Sequence, residues 1–121
     1  MAKKRTRRRK RKTYNGSVVE SIKGGVFTTR SSYETKYAKI LDNNPLVIRF
    51  EYESTKVRYK YKNRNCNYVP DFVVTFTDLS QEVHEVKPKT MLKKARNKAK
   101  FAAARRNQIP FVLITEDDLF K

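Results

Sequence analysis

The sequence predicts an α/β domain, a mixed β-sheet with helices on its faces. Three observations predict it. A capped, amphipathic helix precedes a series of strand-like runs. Those runs alternate polar and apolar residues with period two, as strands with one wet face do. Last, a strand, a long alanine-rich helix and a short apolar strand follow in succession, which makes a right-handed βαβ unit with parallel strands. With 121 residues the chain is long enough for one domain with a modest core.

Residues 1–12 hold nine of the 29 Lys and Arg, among them Arg7, Arg8 and Arg9. Such a like-charge block is expected to be disordered until it meets a counter-charge, and it reads as a DNA-binding arm. A solubility tail or a localisation signal is the plainer alternative. Residues 13–29 form an N-terminal extension with turn signals at Asn15-Gly16 and Gly24-Gly25. A loop with a short helix and a hairpin both fit there.

Ser31-Ser32-Tyr33-Glu34 opens a helix. Ser31 and Glu34 have capping-box spacing, and Tyr33, Tyr37, Ile40 and Leu41 form its apolar stripe. Asn43-Asn44-Pro45 stops it near Asp42. From Leu46 to Glu53 the chain alternates, with Leu46, Ile48, Phe50 and Tyr52 on one face. From Lys56 to Tyr61 it alternates again, with Val57, Tyr59 and Tyr61 inward. Asn63-Arg64-Asn65 reads as a turn. Two further strands follow, one opened by Pro70-Asp71 and one ending Glu85-Val86-Lys87, joined through Thr77-Asp78-Leu79-Ser80. A helix over Met91 to Arg106 buries Leu92, Ala95, Ala99, Ala102 and Ala103. It carries Lys93, Arg96 and Lys100 as a basic ridge. Phe111-Val112-Leu113-Ile114 is a strand covered on both faces, and Glu116 to Phe120 a short helix capped by Thr115. The expected order is helix, three antiparallel strands, a fourth strand, helix, fifth strand.

Net charge is +17 and mean hydropathy −0.82. The excess is not confined to the arm: the remaining twenty basic residues outnumber all twelve acidic ones. A basic tail on a basic domain points to a polyanion, most often nucleic acid held through phosphates. The single cysteine, Cys66, has no partner for an internal disulfide, and no apolar run is long enough for a membrane span. A soluble, intracellular protein is expected.

The chemistry-bearing residues cluster in the middle of the chain. A hairpin through residues 77–80 brings Asp71 beside Glu85, and period two puts Glu85 and Lys87 on one side. Carboxylates grouped in this way suit a hard divalent cation, because Mg²⁺ takes one or two carboxylates plus water and phosphate oxygens. Glu34 lies on a helix expected to pack against this sheet. Plainer readings exist for each residue. Glu34 also fits as the capping partner of Ser31, Asp71 as a turn carboxylate, and Glu85 with Lys87 as a surface pair. His84 faces away from Glu85 and reads as a strand histidine rather than a ligand. Glu82 reads as solvated. Glu51 and Glu53 fit a wet strand face.

The pattern Pro70-Asp71, a gap of thirteen residues, then Glu85-Val86-Lys87 resembles that of the PD-(D/E)XK nucleases. Arg30-Ser31-Ser32-Tyr33-Glu34, Leu41-Asp42-Asn43-Asn44-Pro45, Tyr68-Val69-Pro70-Asp71-Phe72, Glu85-Val86-Lys87-Pro88 and Ile114-Thr115-Glu116 are similar to the N-terminal endonuclease domain of TnsA-type transposition proteins. They are also similar to the small head-completion nucleases of tailed phages, as is the segment Asn97 to Ala104. The resemblance covers about Arg30 to Phe120, and the nuclease domain is expected over residues 30–121. It implies a single restriction-endonuclease-like domain that hydrolyses DNA with the help of Mg²⁺, for which Mn²⁺ can substitute. It implies that Asp71, Glu85 and the backbone carbonyl of Val86 hold the metal, and that Lys87 positions the attacking water. Glu34 would complete the site through a second metal or a metal-bound water. Lys93, Arg96 and Lys100 would add DNA contacts to those of Arg7, Arg8 and Arg9.

No base-reading element stands out in the sequence, so weak sequence specificity is expected. The resemblance further implies a phage or mobile-element origin, a cytoplasmic or virion-associated location, and a homodimer or a packaging or transposition complex. A branched-DNA resolvase of the same superfamily and a non-catalytic nucleic-acid-binding protein are the alternatives.

Overall fold

A computed structural model describes residues 16–121. The central sheet has four strands. We number the strands β1 (Ser17–Ser21), β2 (Gly25–Thr29), β3 (Val47–Tyr52), β4 (Val57–Tyr61), β5 (Arg64–Tyr68), β6 (Phe72–Phe76), β7 (Gln81–Val86) and β8 (Phe111–Ile114), and the helices α1 (Ser32–Asp42), α2 (Ala95–Arg105) and α3 (Glu116–Leu119). The sheet order is β3-β6-β7-β8; β8 is parallel to β7 and the other pairs are antiparallel. This is the mixed α/β fold of a restriction-endonuclease-like domain. The β7-α2-β8 crossover and the capped α3 stand where the sequence puts them. No helix among the described residues is long and apolar enough to cross a membrane.

The two faces of the sheet are covered differently. On one, α1 and the β1–β2 hairpin enclose Phe50, Phe72, Val74, Val86 and Ile114, with Val19 and Phe27 contributed by the hairpin. On the other, α2 and a β4–β5 hairpin form a smaller core from Val57, Tyr59, Tyr68, Phe101 and Ala104, against which Phe111 and Leu113 pack. The segment that admitted a loop or a hairpin is thus a hairpin. Its turn is fastened to α1, because Asp42 accepts from the Ser21 hydroxyl at 2.7 Å and from the Lys23 amide at 3.1 Å. Gly24 is required there: a Cβ would lie 2.3 Å from the Phe50 ring.

Four expectations need correction. In β3 the register shifts between Val47 and Arg49, and a bulge inserts one residue. Val47 and Phe50 are therefore buried, while Leu46 and Ile48 are exposed. Second, β4 does not join the sheet, where β3 pairs directly with β6; β4 pairs with β5, a strand not expected from the sequence, which places Arg64 and Asn65 in the turn. The turn is Lys62-Asn63, both at positive φ (50° and 62°), as a two-residue hairpin turn with the twist of its strands requires. Third, α2 starts at Ala95, after a 3₁₀ turn over Lys89–Met91, and Lys93 precedes it. Fourth, its buried side is Asn97, Phe101, Ala103 and Ala104, while Ala95 and Ala102 are exposed. One large ring fixes the inward face more strongly than several methyls, because stabilisation scales with the apolar area removed from water.

Candidate active site

Asp71 occupies the bend just before β6. The β6–β7 register pairs Phe72 with His84, so Asp71 stands across from Glu85, as the hairpin predicts. The two are interlocked. The Asp71 amide donates to Glu85 Oε1 at 3.1 Å, and the Val86 amide donates to Asp71 Oδ2 at 2.8 Å. The Asp71 carbonyl accepts from the Glu53 amide at 2.8 Å, which ties the bend to the end of β3. Both carboxylates are buried. Lys87 follows β7, its amide bound to the Ile114 carbonyl, and its Nζ lies 3.4 Å from Glu85 Oε2.

Glu34 enters from the first turn of α1 and is also buried. Only half of the expected capping box forms. The Ser31 hydroxyl accepts from the Glu34 amide at 3.2 Å, but the Glu34 carboxylate reaches past the Ser31 amide. It accepts from the Arg30 amide at 3.0 Å and from the Tyr52 hydroxyl, so it is held toward the sheet end.

Three buried acids close together repel one another. Burial is the largest influence on Asp71, followed by the charges of Glu85 and Glu34. Together they push its carboxyl up to about 9, against the opposing pull of the Val86 amide and the Lys87 ammonium. Burial also raises Glu85, partly offset by Tyr68, Lys87 and the Asp71 amide. Buried, mutually repelling acids of this kind cluster at functional sites.

The donor set suits a hard divalent cation. Among the described residues no three His, Cys, Asp or Glu side chains are placed to enclose a metal ion together. Asp71 and Glu85 supply two carboxylates, which is what Mg²⁺ takes when water fills the rest of its shell. A cation between them would also relieve the repulsion that holds Asp71 high.

Two tyrosines complete the surroundings. Tyr52 holds Glu34. Tyr68 is 4% exposed, and its hydroxyl lies beside Glu85, close enough to favour the charged carboxylate yet outside hydrogen-bond geometry with any described residue. Tyr68 lies three positions before Asp71, on a strand that the sequence did not reveal; with that strand recognised, its inward position follows from period two. Of the basic ridge, Lys100 lies over the Tyr68 ring at 5.5 Å and Arg96 over the Tyr61 ring at 4.9 Å. Burial and then the charge of Lys87 lower Lys100. Lys93 is exposed and off the helix, so the three do not form one ridge. Arg7, Arg8 and Arg9 lie outside the described residues.

His84 points to the opposite face, as expected. Its Nδ1 lies 2.7 Å from the Tyr37 hydroxyl and its Nε2 2.8 Å from Glu82. A carboxylate can only accept, so Nε2 carries the proton and Tyr37 donates to Nδ1. Glu82, read as solvated, is engaged in this chain. Glu53 pairs with Arg30 at 2.9 Å, and Glu51 is exposed.

The model of the TnsA-like endonuclease N-terminal family matches residues 44–116, well over half of the chain. The chain belongs to this family. The family is part of the PD-(D/E)XK-like nucleases, so the chain carries a nuclease domain of that type. The matched span contains Asp71, Glu85 and Lys87; Glu34 and all of α1 precede it. Among curated proteins no match to the chain is found.

Proposed function

We propose that this chain is a metal-dependent DNA endonuclease of little sequence specificity, encoded by a phage or mobile element. The observation that carries the reading is the interlocked pair Asp71 and Glu85, buried at adjoining strand ends, with Lys87 3.4 Å from Glu85.

In this reading Asp71 and Glu85 hold Mg²⁺, or Mn²⁺ in its place, with the Val86 carbonyl as a further oxygen ligand. The bound cation supplies charge neutralisation at the phosphate and acidifies water to yield a nucleophile. Lys87 sets a fixed positive charge where negative charge develops on the phosphate, and it orients the attacking water. Glu34, steadied by Tyr52 and the Arg30 amide, adds negative charge that strengthens cation binding. Lys100, Arg96 and Lys93 neutralise backbone phosphates near the cut, and Arg7, Arg8 and Arg9 do so farther out. Each contact of this kind adds affinity without reading sequence, and the sum weakens steeply with salt. Cutting both strands takes two sites, which a homodimer or a partner nuclease in a packaging or transposition complex provides.

The test is supercoiled plasmid incubated with Mg²⁺, Mn²⁺ or EDTA, alongside Asp71→Ala. Metal-dependent nicking that the variant lacks is expected. Equal nicking by the variant, or none by the wild type under any condition, refutes the reading.

A further inference from the structure

The β4–β5 hairpin has an outer face that neither the catalytic cluster nor Arg96 and Lys100 of α2 use. Its inner face, Val57, Tyr59 and Tyr68, is fixed against Phe101 and Ala104. Period two then turns Arg58 and Lys60 of β4 outward, together with Asn65 and Asn67 of β5, and all four are exposed. The pairing sets an amide opposite each cation, Arg58 across from Asn67 and Lys60 across from Asn65. At the tip, Lys62 in the turn adds a further positive charge, while Arg64 pairs with Tyr61 on the other face. Among the described residues, none of the four outward side chains has an ion pair or hydrogen-bond partner. From Thr55 to Pro70 there is no Asp or Glu at all, in a chain that has twelve. An ordinary solvated strand face mixes signs. This one holds like charges two residues apart with no counter-charge, a standing repulsion that a polyanion would relieve.

We infer that the outer face of the β4–β5 ribbon seats in the major groove of duplex DNA and grips it beside the cut. This inference rests on the endonuclease reading for its choice of partner. A two-stranded ribbon fits the width of the major groove. Arg58 and Lys60 reach the phosphates of the groove wall, and Asn65 and Asn67 present amide groups to base edges. Four side chains read at most a base pair or two, so the contact biases cutting weakly and does not define a recognition site. The ribbon is also well placed. From Asn67 the chain runs through Tyr68, Val69 and Pro70 into Asp71, at most about 13 Å of extended backbone, so the gripped groove lies within a few base steps of the carboxylates.

The experiment measures the affinity of the full chain for a 30-base-pair duplex in EDTA, where metal-dependent cutting is absent, across a salt series. Arg58→Gln/Lys60→Gln is compared with a charge-matched control, Lys39→Gln/Arg49→Gln, whose residues are exposed on α1 and β3. Circular dichroism melts verify that all variants fold. The ribbon variant is expected to bind at least about tenfold more weakly, with a salt slope shallower by about two, and the control to stay within about twofold. Methyl green, which occupies the major groove, is expected to displace the wild type, and netropsin, a minor-groove ligand, is not. A ribbon variant indistinguishable from the control, or displacement by netropsin alone, overturns the inference. Plasmid nicking in Mg²⁺ is read in parallel. Nicking with ribbon-independent binding removes this inference and leaves the endonuclease standing; ribbon-dependent binding without nicking does the reverse.

Discussion

The Asp71 amide donates to the Glu85 carboxylate at 3.1 Å, fourteen residues away in sequence and one strand across. Because the Val86 amide returns a bond to Asp71, each acid is oriented by the other's strand. One oxygen of each carboxylate is occupied by backbone. The second Glu85 oxygen faces Lys87, and the second Asp71 oxygen remains available to a cation. Orientation by backbone rather than by flexible side chains is what a preorganised site requires.

Asp71→Asn keeps the shape and the acceptor for Val86 and removes the charge. Cleavage is expected to vanish. In EDTA the variant is expected to melt higher at alkaline pH. A carboxyl raised to about 9 in the folded state binds more protons folded than unfolded between its ordinary value near 4 and that higher one. Stability is therefore lost as pH climbs through this window. Melting temperatures from pH 5 to 9 should fall more steeply for the wild type than for the variant, and parallel curves would contradict the raised Asp71.

Lys87→Gln should lower the cleavage rate by about 10²–10³ at saturating Mg²⁺, the usual cost of removing one fixed charge aimed at a developing anion. Its affinity for duplex DNA should stay within a few fold of wild type. Single-turnover rates and binding in EDTA separate the two effects.

Tyr68→Phe deletes a buried hydroxyl that lies beside Glu85 but meets hydrogen-bond geometry with none of the described residues. Such a group is costly to keep, roughly 1–3 kcal/mol. The variant is thus expected to melt at the same temperature or above it. A fall of several degrees would mean that the hydroxyl holds Glu85 in place.

His84→Phe interrupts the Tyr37–His84–Glu82 chain on the face away from the carboxylates. Stability should fall by about 1–3 kcal/mol, since Tyr37 is left without its buried acceptor. The cleavage rate, measured well below the melting temperature, should change by less than about threefold. A loss comparable to that of Lys87→Gln would move His84 into the catalytic machinery.

Much of this was legible because the relevant patterns are local. The β6–β7 hairpin, its turn and the capped α1 each depend on a few neighbouring residues, so Asp71, Glu85 and Lys87 were placed together from spacing alone. Glu34 was placed through its helix, but the bond it takes from Tyr52 joins separate elements and leaves no trace in local sequence. The bulge in β3 was hidden for a related reason. Leu46, Val47, Ile48 and Phe50 are all apolar, so alternation alone could not say which three-residue step the chain would take. Strand β5 was masked by its composition, since Asn65 and Asn67 are weak strand formers that pairing with β4 overrides. In α2 a face of small residues was chosen where Phe101 decided.

The turn at Lys23-Gly24 has a consequence for the fate of the chain in solution. Strand β3 is an outer strand of the sheet, and unpaired outer strands are templates for joining sheets of different molecules. Here the Phe50 amide donates to the Lys23 carbonyl at 3.2 Å, so the N-terminal hairpin blocks that edge in mid-strand. The exposed Leu46 and Ile48 precede the blocked position on the same edge. A chain shortened to begin after Thr29 would bare this edge beside two apolar side chains. It would be selected against by self-association before its catalytic competence was ever at issue.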